Sequence, residues 1–364
     1  MKISQIIEIL EDFAPLGWQE SFDNSGLQVG DISQQAKGIL LCLDVTENVL
    51  EEALERGCNL IISHHPLLFK PIKKLSGKTY IERCVVKACK NDLVIYAAHT
   101  NVDNASGGLN FYLAEKLGLQ NPQILSPKKD GLLKLVTYVP EVQAEIVRNA
   151  LFSSGAGYIG NYDSCSFNVA GAGTFRAGEQ AHPFVGNRHV LHTEPEIRIE
   201  TILPVQKKST VLRALLAVHP YEEPAYDFYP LANEWSSIGS GVVGDLLSME
   251  QEEAFLQRLK TIFKLQRISH SPLTGKGIHR VALCGGNGAF LFPDAIACGA
   301  DIFITGEAKY NDYFDVEKQI LLAVIGHYES EIITKELFYD VITKKITNFV
   351  VHFSTTNSNP VNYL

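Results

Sequence analysis

The stretch CNLIISHHPLLF, residues 58–69, decides the fold class of this chain. Its largely apolar run NLII predicts a short buried strand, which ends in two adjacent histidines, His64 and His65. Open α/β sheets place their sites at the carboxyl ends of parallel strands. Because adjacent side chains on a strand point to opposite faces, the two histidines either serve one metal ion where the chain bends or serve two ions. The alternative, two satisfied polar residues at a strand end, stays open at this point.

The segments around this stretch alternate between helix-like and strand-like patterns. We predict helices over 3–13, 45–57, 80–92 and 107–119, and strands over 38–45, 58–65 and, with its following loop, 93–103. The tail from about 232 repeats the alternation, with predicted strands at 276–288 (including a Gly-rich loop), 301–308, 319–327 and 348–354 and helices at 292–300 and 330–346. This rhythm predicts βαβ units and a mainly parallel sheet, and therefore the α/β class.

The middle of the chain, residues 127–231, has a different texture. Strand-like runs at 134–140 and 196–204 flank a Gly/Ser-rich segment, 153–175, and two helix candidates, 141–152 and 208–218. We therefore predict a discontinuous core domain, 1–126 plus 232–364, from which a small α+β insert, 127–231, emerges.

Two more polar motifs each follow an apolar strand. HTNVD, residues 99–103, places Asp103 after LVIYAA, and GHYESE, residues 326–331, places His327 and Glu331 four apart at the start of a helix, where both can face one point. Alone, Asp103 is as well explained as a turn residue, and the His/Glu pair as a surface hydrogen bond. Together with the adjacent histidines they place imidazoles and carboxylates at one sheet edge.

Imidazole and carboxylate ligands without thiolate suit Zn, Mn, Fe or Co in a hydrolytic setting. Five ligands exceed what one catalytic zinc with an open position needs. We therefore predict a two-metal centre built from His64, His65, Asp103, His327 and Glu331.

Four motifs, SHHPLLF, AHTNVDNASGGLN, HPYEEPAYDFYPL and GHYESE, closely resemble the NIF-three-like family, often catalogued as GTP cyclohydrolase 1 type 2 homologues. The resemblance implies a fold of two α/β halves around a dinuclear site, with a ferredoxin-like insert similar to PII and CutA. It implies that the five residues named above hold two divalent ions per subunit, zinc first, with Mn, Fe, Co or Mg as alternatives. Glu331 would be able to bridge the two ions, and Asp103 would lie nearer the ion held by His65. It also implies a toroidal homohexamer.

Two further residues are candidates for proton transfer. His99 lies at the end of the LVIYAA strand, and Glu307 follows the strand IFITG. In the loop after IFITG, many relatives carry an aspartate and one or more histidines, whereas this chain reads GEAKYN over 306–311. Another motif, HPYEEP over 219–224, is interpreted as the return from the insert and not as a site.

The bulk composition limits the classes of function. With 364 residues, 46% of them hydrophobic, the chain has ample core material, and its net charge of −9 argues against a protein that mainly binds nucleic acid. Its seven cysteines form no C-x-x-C pair, and no apolar run is long enough for a membrane span, so we expect a cytoplasmic protein.

Two functions remain. The first is a metal-dependent hydrolase that acts on a nucleotide or phosphoester, with GTP suggested by the family's label. The second is a non-enzymatic, metal-binding or regulatory hexamer whose insert senses a small ligand.

Overall fold

A computed structural model describes residues 1–364 and divides them into two compact units. The first unit contains Met1–Pro127 and Ser237–Leu364, and the second contains Lys128–Ser236. No helix is both long enough and apolar enough to span a membrane.

The helices and strands alternate in the first unit and again after the chain returns to it. The chain begins with α1 (Ile3–Phe13), β1 (Gly26–Val29), β2 (Ile39–Cys42), α2 (Glu47–Glu55), β3 (Leu60–Ser63), α3 (Tyr80–Lys90), β4 (Val94–Ala97), α4 (Thr100–Asp103), α5 (Leu109–Lys116) and β5 (Gln120–Lys128). The second unit holds β6 (Leu132–Pro140), α6 (Ala144–Ser153), β7 (Ser166–Arg176), β8 (Leu191–Pro204), α7 (Lys208–Val218) and β9 (Tyr226–Pro230). The remainder is β10 (Trp235–Gln251), α8 (Glu252–Ile262), β11 (Ser269–His270), β12 (Gly277–Cys284), α9 (Phe292–Ala297), β13 (Ile302–Thr305), α10 (Asp312–Asp315), β14 (Leu321–Val324), α11 (His327–Glu331), α12 (Thr334–Thr343) and β15 (Val351–Phe353).

The first sheet of the first unit has the strand order β1-β4-β3-β2-β15. Its strands are parallel except β1, which pairs antiparallel with β4. Cys42 pairs with Ser63 and Ser63 with Ala97, so β2, β3 and β4 end level with one another. Separate apolar clusters cover the two faces of this sheet. Burial on both faces explains why these strands are continuous apolar runs.

The second sheet of the same unit has the order β11-β14-β13-β12-β10-β5. Its centre is parallel, and Cys284, Thr305 and Val324 pair in register at the carboxyl ends of β12, β13 and β14. Two further apolar clusters cover its faces. The predicted α/β class is confirmed, with antiparallel strands at β10 and β11 as an addition.

The second unit follows the chain order β-α-β-β-α-β, and its sheet has the order β7-β8-β6-β9. This is the arrangement of a ferredoxin-like unit. One apolar cluster, which includes Val147, Leu151, Val211 and Leu215 of the two helices, forms its core. The residues of β7 are mostly exposed, so part of the sheet has no helix against it.

The structure departs from the predicted elements at two places that matter for the site and for the second unit. The predicted helix 330–346 is instead two helices, α11 and α12. The hydroxyl of Thr334 donates to the carbonyl of Glu331 at 2.7 Å and takes the place of a continuing helical hydrogen bond. The Gly-rich segment contains strand β7, which pairs with β8 along its whole length, so tertiary pairing overrides the low strand propensity of glycine.

Candidate metal centre

The aligned strand ends bring the predicted residues together within the first unit. Asp44 follows β2, His64 and His65 follow β3, and His99 and Asp103 follow β4. From the second sheet, the loop after β13 carries Glu307, and α11 after β14 carries His327 and Glu331.

His64 is fully buried, and one of its ring nitrogens has no partner. Its Nδ1 lies 2.9 Å from the carbonyl oxygen of Ala98 and donates to it, which leaves Nε2 as the acceptor atom. That Nε2 makes no hydrogen bond, and neither does the buried Oδ1 of Asp103, 3.6 Å away. Burial lowers the pKa of His64 from 6.5 to about 4, so the ring is neutral and its lone pair is free for a cation.

His65 is oriented by a carboxylate on each side. Its Nδ1 lies 2.7 Å from Oδ1 of Asp44, and its Nε2 lies 2.8 Å from Oε2 of Glu331. Burial alone would lower the pKa of His65, but the hydrogen bonds to Asp44 and Glu331 outweigh it and raise the pKa to about 10. In the absence of another cation, His65 therefore supplies positive charge to these carboxylates.

His327 repeats this arrangement from the second sheet. Its Nδ1 lies 2.9 Å from Oε1 of Glu307, and its Nε2 lies 2.9 Å from Oε2 of Glu331 and 3.3 Å from Nε2 of His65. Burial opposes protonation, but the hydrogen bond to Glu331 raises the pKa of His327.

Glu331 lies at the centre of this arrangement and is 3% exposed. Its Oε2 faces His65 and His327, while its Oε1 lies 3.8 Å from Nε2 of His64. Although burial would raise it, hydrogen bonds from His327 and His65 hold the pKa of Glu331 well below its usual range. One oxygen of the carboxylate thus contacts two histidines, while the other faces the unpaired Nε2 of His64.

The nitrogen and oxygen atoms of this cluster suit the binding of a metal cation. Ligand atoms of His65, His327 and Glu331 lie within 4.8 Å of one another and could hold a metal ion, as could those of His64, His65 and His99. Burial and then the charge of Glu331 raise the pKa of Asp103 well above its usual range. A buried carboxylate oxygen of Asp103 and Nε2 of the neutral His64, both without a partner, are atoms that a divalent ion would satisfy.

The two proton-transfer candidates lie at the edges of the cluster. Nδ1 of His99 lies 2.7 Å from Oδ1 of Asp23, and its ring centroid is 5.1 Å from that of His64. Glu307 is more than half exposed, and its carboxylate contacts Nδ1 of His327. Through this contact it orients His327, one of the predicted metal ligands.

Two carboxylates of the cluster, Asp44 and Asp23, were not predicted from the sequence. Asp44 follows the buried strand β2, which is the same signal that identified the other residues, and it could have been found in that way. Asp23 lies in the loop before β1, far along the chain from His99, and no local pattern marks it. Its Oδ2 accepts hydrogen bonds from the backbone N–H and the hydroxyl of Thr100. Burial would raise the pKa of Asp23, but the hydrogen bonds and the charge of His99 outweigh it and lower the pKa.

A cavity of about 640 Å³ adjoins the cluster at His327. Its lining includes Glu307, Arg267 and Lys309, together with Tyr363 near the end of the chain. The guanidinium of Arg267 lies 4.0 Å from the ring centroid of Tyr363. The cluster is therefore open to a molecule of moderate size on the side of the second sheet.

Fold and site together define an α/β protein with a cluster of histidine and glutamate side chains that could hold a metal ion. The chain belongs to the Duf34/NIF3 (NGG1p interacting factor 3) family, whose profile matches residues 1–360. The resemblance drawn from the four motifs is confirmed.

Relatives and solved structures match along nearly the whole chain. A protein of Halalkalibacterium halodurans named GTP cyclohydrolase 1 type 2 homolog is 37% identical over 372 residues, covering 100% of both chains. One of the same name from Bacillus subtilis is 35% identical over 370 residues, covering 99% of this chain and 98% of the relative. The crystal structure of a Bacillus cereus protein related to NIF3 superposes with a TM-score of 0.83 at 35% identity, covering 100% of this chain and 99% of that one.

Proposed function

We propose that this protein is a divalent-metal-dependent hydrolase with two ions held around Glu331, acting on a nucleotide or another phosphoester. The observation that carries the proposal is the pair of buried atoms without partners, Nε2 of His64 and Oδ1 of Asp103, beside the carboxylate of Glu331. Buried polar atoms are rarely left unpaired.

The two sides of Glu331 suggest how the ligands divide. His65, His327 and Oε2 of Glu331 would hold one ion, and His64 with Oε1 would hold the other. Asp103 lies 3.6 Å from His64, so its expected place beside the ion held by His65 stays a prediction. Zinc is the first expectation, with Mn, Fe, Co and Mg as alternatives, because sites of imidazole and carboxylate accept several of these metals. When bound, two divalent ions supply Lewis acidity for the hydrolysis of an ester.

The residues around the ligands would orient substrate and carry protons. Arg267 and Lys309 line the adjoining cavity and could balance the charge of a phosphate. The carboxylate of Asp23 holds Nδ1 of His99, which leaves Nε2 of that ring to accept or donate a proton. Glu307 is the second candidate, although its hydrogen bond to His327 favours an orienting role.

Turnover tests this proposal. Purified protein loaded with Zn, Mn, Fe or Mg should hydrolyse GTP, the substrate that the relatives' name suggests, or a generic phosphodiester. Asp103→Ala should abolish that turnover with the circular dichroism spectrum unchanged, whereas Asp31→Ala, an exposed aspartate outside the site, should not. Metal binding without turnover of either substrate would contradict the hydrolase and leave the second function, a metal-binding regulatory protein.

The assembly belongs to the same proposal. The family resemblance implies a toroidal homohexamer, and light scattering of the metal-loaded protein should give six times the 40.2 kDa of one chain. A monomeric particle would contradict this part of the proposal without affecting the metal ligands.

A further inference from the structure

The second unit contains a cavity of about 810 Å³ that is separate from the metal centre. Every residue that lines it belongs to Lys128–Ser236. Sites for small organic molecules commonly have volumes of roughly 300–1,000 Å³. Aromatic rings of Phe175, Phe184 and Tyr221 form part of the wall, with centroids 6.1 Å apart for Phe175 and Tyr221 and 6.4 Å apart for Phe184 and Tyr221.

Two glycines of β7 form the floor of the cavity and leave room above the sheet. Gly171 pairs with Glu196 of β8, and a Cβ at Gly171 would meet no atom within 4 Å. At Gly173, a Cβ would lie 2.0 Å from Oε2 of Glu196. The glycines thus allow a carboxylate to lie flat against the strand with open space beside it.

That carboxylate is buried and only half satisfied. Glu196 is 8% exposed, and its Oε1 accepts a hydrogen bond of 2.7 Å from the hydroxyl of Tyr221. Its Oε2 accepts no hydrogen bond from the protein and lies among the residues that line the cavity. Burial, and then the hydrogen bond to Glu196 and its charge, raise the pKa of Tyr221, so the phenol keeps its proton and donates a hydrogen bond to Glu196. A carboxylate on a buried residue, with one oxygen that faces the cavity and accepts from no protein donor, can accept a hydrogen bond from a ligand there.

The motif HPYEEP, interpreted from sequence as the place where the chain leaves the insert, holds the aromatic wall of the cavity in position. Nε2 of His219 donates to the carbonyl of Tyr138 at 3.0 Å, and Nδ1 of His219 accepts from the backbone N–H of Tyr221 at 3.1 Å. The histidine therefore holds the backbone of Tyr221, whose hydroxyl reaches Glu196.

The charges that line the cavity are predominantly negative. Its one lining guanidinium, Arg198, is paired with Oε1 of Glu200 at 2.7 Å. Against this single cation, the lining contains three carboxylates, those of Glu196, Glu222 and Glu223. Aromatic faces and carboxylates together attract cations.

We propose that this cavity binds a small organic cation that presents N–H donors to Glu196 and a planar apolar part to Phe175, Phe184 and Tyr221. An amidinium or guanidinium on an aromatic ring matches this class, because two parallel N–H groups suit one carboxylate. The site is independent of the metal centre and of the hydrolase proposal.

Benzamidine is the probe that tests this site, with benzamide as its neutral counterpart and benzoate as its anionic one. Calorimetric titration of the full-length protein should show saturable binding of benzamidine, at least tenfold weaker binding of benzamide and none of benzoate. Glu196→Gln should weaken benzamidine at least tenfold. Glu179→Gln removes an exposed carboxylate outside the cavity lining and should leave the affinity unchanged.

A second variant separates the position of the carboxylate from its charge. Gly173→Ala keeps Glu196 but would displace its Oε2, and it should also weaken benzamidine, while Gly178→Ala, outside the cavity lining at a glycine with open space around its Cβ position, should not. Absence of saturable binding to the wild-type protein, or equal affinity of wild type and Glu196→Gln with an unchanged far-ultraviolet spectrum, would overturn the proposal.

Discussion

Each of the three histidines around Glu331 has an acceptor beside its Nδ1 atom. A backbone carbonyl holds His64, while Asp44 and Glu307 hold His65 and His327. Because Nδ1 is occupied in each ring, Nε2 is the atom that each presents to the centre. Partners of this kind fix ring orientation and raise the basicity of a metal-bound imidazole.

The carboxylate of Asp44 should therefore contribute to metal affinity without touching the metal. Asp44→Asn replaces the acceptor at His65 with a weaker one, and we expect divalent metal to bind about 10–100-fold more weakly. Competition titration against a chromophoric chelator measures this change. Asp31→Asn serves as the control, and an unchanged affinity in Asp44→Asn would show that His65 needs no orienting group.

Gly286 matters because it lies against the central ligand. Its φ is +61°, and a Cβ there would lie 2.2 Å from Oε1 of Glu331. Gly286→Ala should displace that carboxylate and weaken metal binding at least tenfold.

Gly275→Ala is the matched control for this substitution. Gly275 has a similar φ of +78° but nothing within 4 Å of a Cβ. Both variants should lose about 1 kcal/mol from backbone strain, as measured by denaturant unfolding of the apoprotein. Equal metal affinities in the two variants would contradict the contact with Glu331.

At the scale of elements, the carboxylate of Glu52 on α2 fastens the segment after β15. Hydroxyl and backbone N–H groups of Ser354, Thr355 and Thr356 donate to its two oxygens. Since β15 pairs with β2, these bonds hold the last strand at the edge of the first sheet. Burial opposes ionisation, but these hydrogen bonds outweigh it and lower the pKa of Glu52 from 4.5 to about 2.

The stability contributed by Glu52 should depend on pH. A carboxyl whose pKa is lower in the folded state than in the unfolded state binds fewer protons when folded, so its contribution is complete above pH 4.5 and is lost as the pH falls towards 2. Glu52→Gln should reduce the free energy of unfolding by about 2 kcal/mol at neutral pH and by less in acid. Urea unfolding at several pH values measures this difference.

Glu51→Gln is the control on the same helix. The exposed pair of Glu51 with Lys87 should contribute only about 0.5 kcal/mol. If the two variants were equally stable at every pH, Glu52 would have no anchoring role.

Elements that are buried on both sheet faces were predictable, and elements that depend on distant pairing were not. The runs that form β2, β3, β4 and β14 are short and apolar, and the histidines and carboxylates after them identified the site. Strand β10 was missed because it is rich in glycine and serine and its buried and exposed residues come in blocks, without the alternation that marks a strand. The break between α11 and α12 also has no marker in sequence, because it depends on a hydroxyl hydrogen bond.

At the scale of the whole molecule, each unit has its own apolar core, and the metal ligands all belong to the first. A ligand that binds only the folded state stabilises it by RT ln(1 + [L]/Kd), about 2.7 kcal/mol at a hundredfold excess over Kd. Metal should therefore slow amide hydrogen exchange in β3 and α11 of the first unit and leave β6 and β8 of the second unit unchanged. Uniform slowing in both units, or none, would contradict this assignment.

The most direct test of the two-metal centre is anomalous scattering from crystals grown with zinc. Two peaks per chain are expected, with Glu331 contacting both ions and His64, His65, Asp103 and His327 completing the ligands at roughly 2.0–2.6 Å. A single peak, or peaks away from these five side chains, would contradict the two-metal centre.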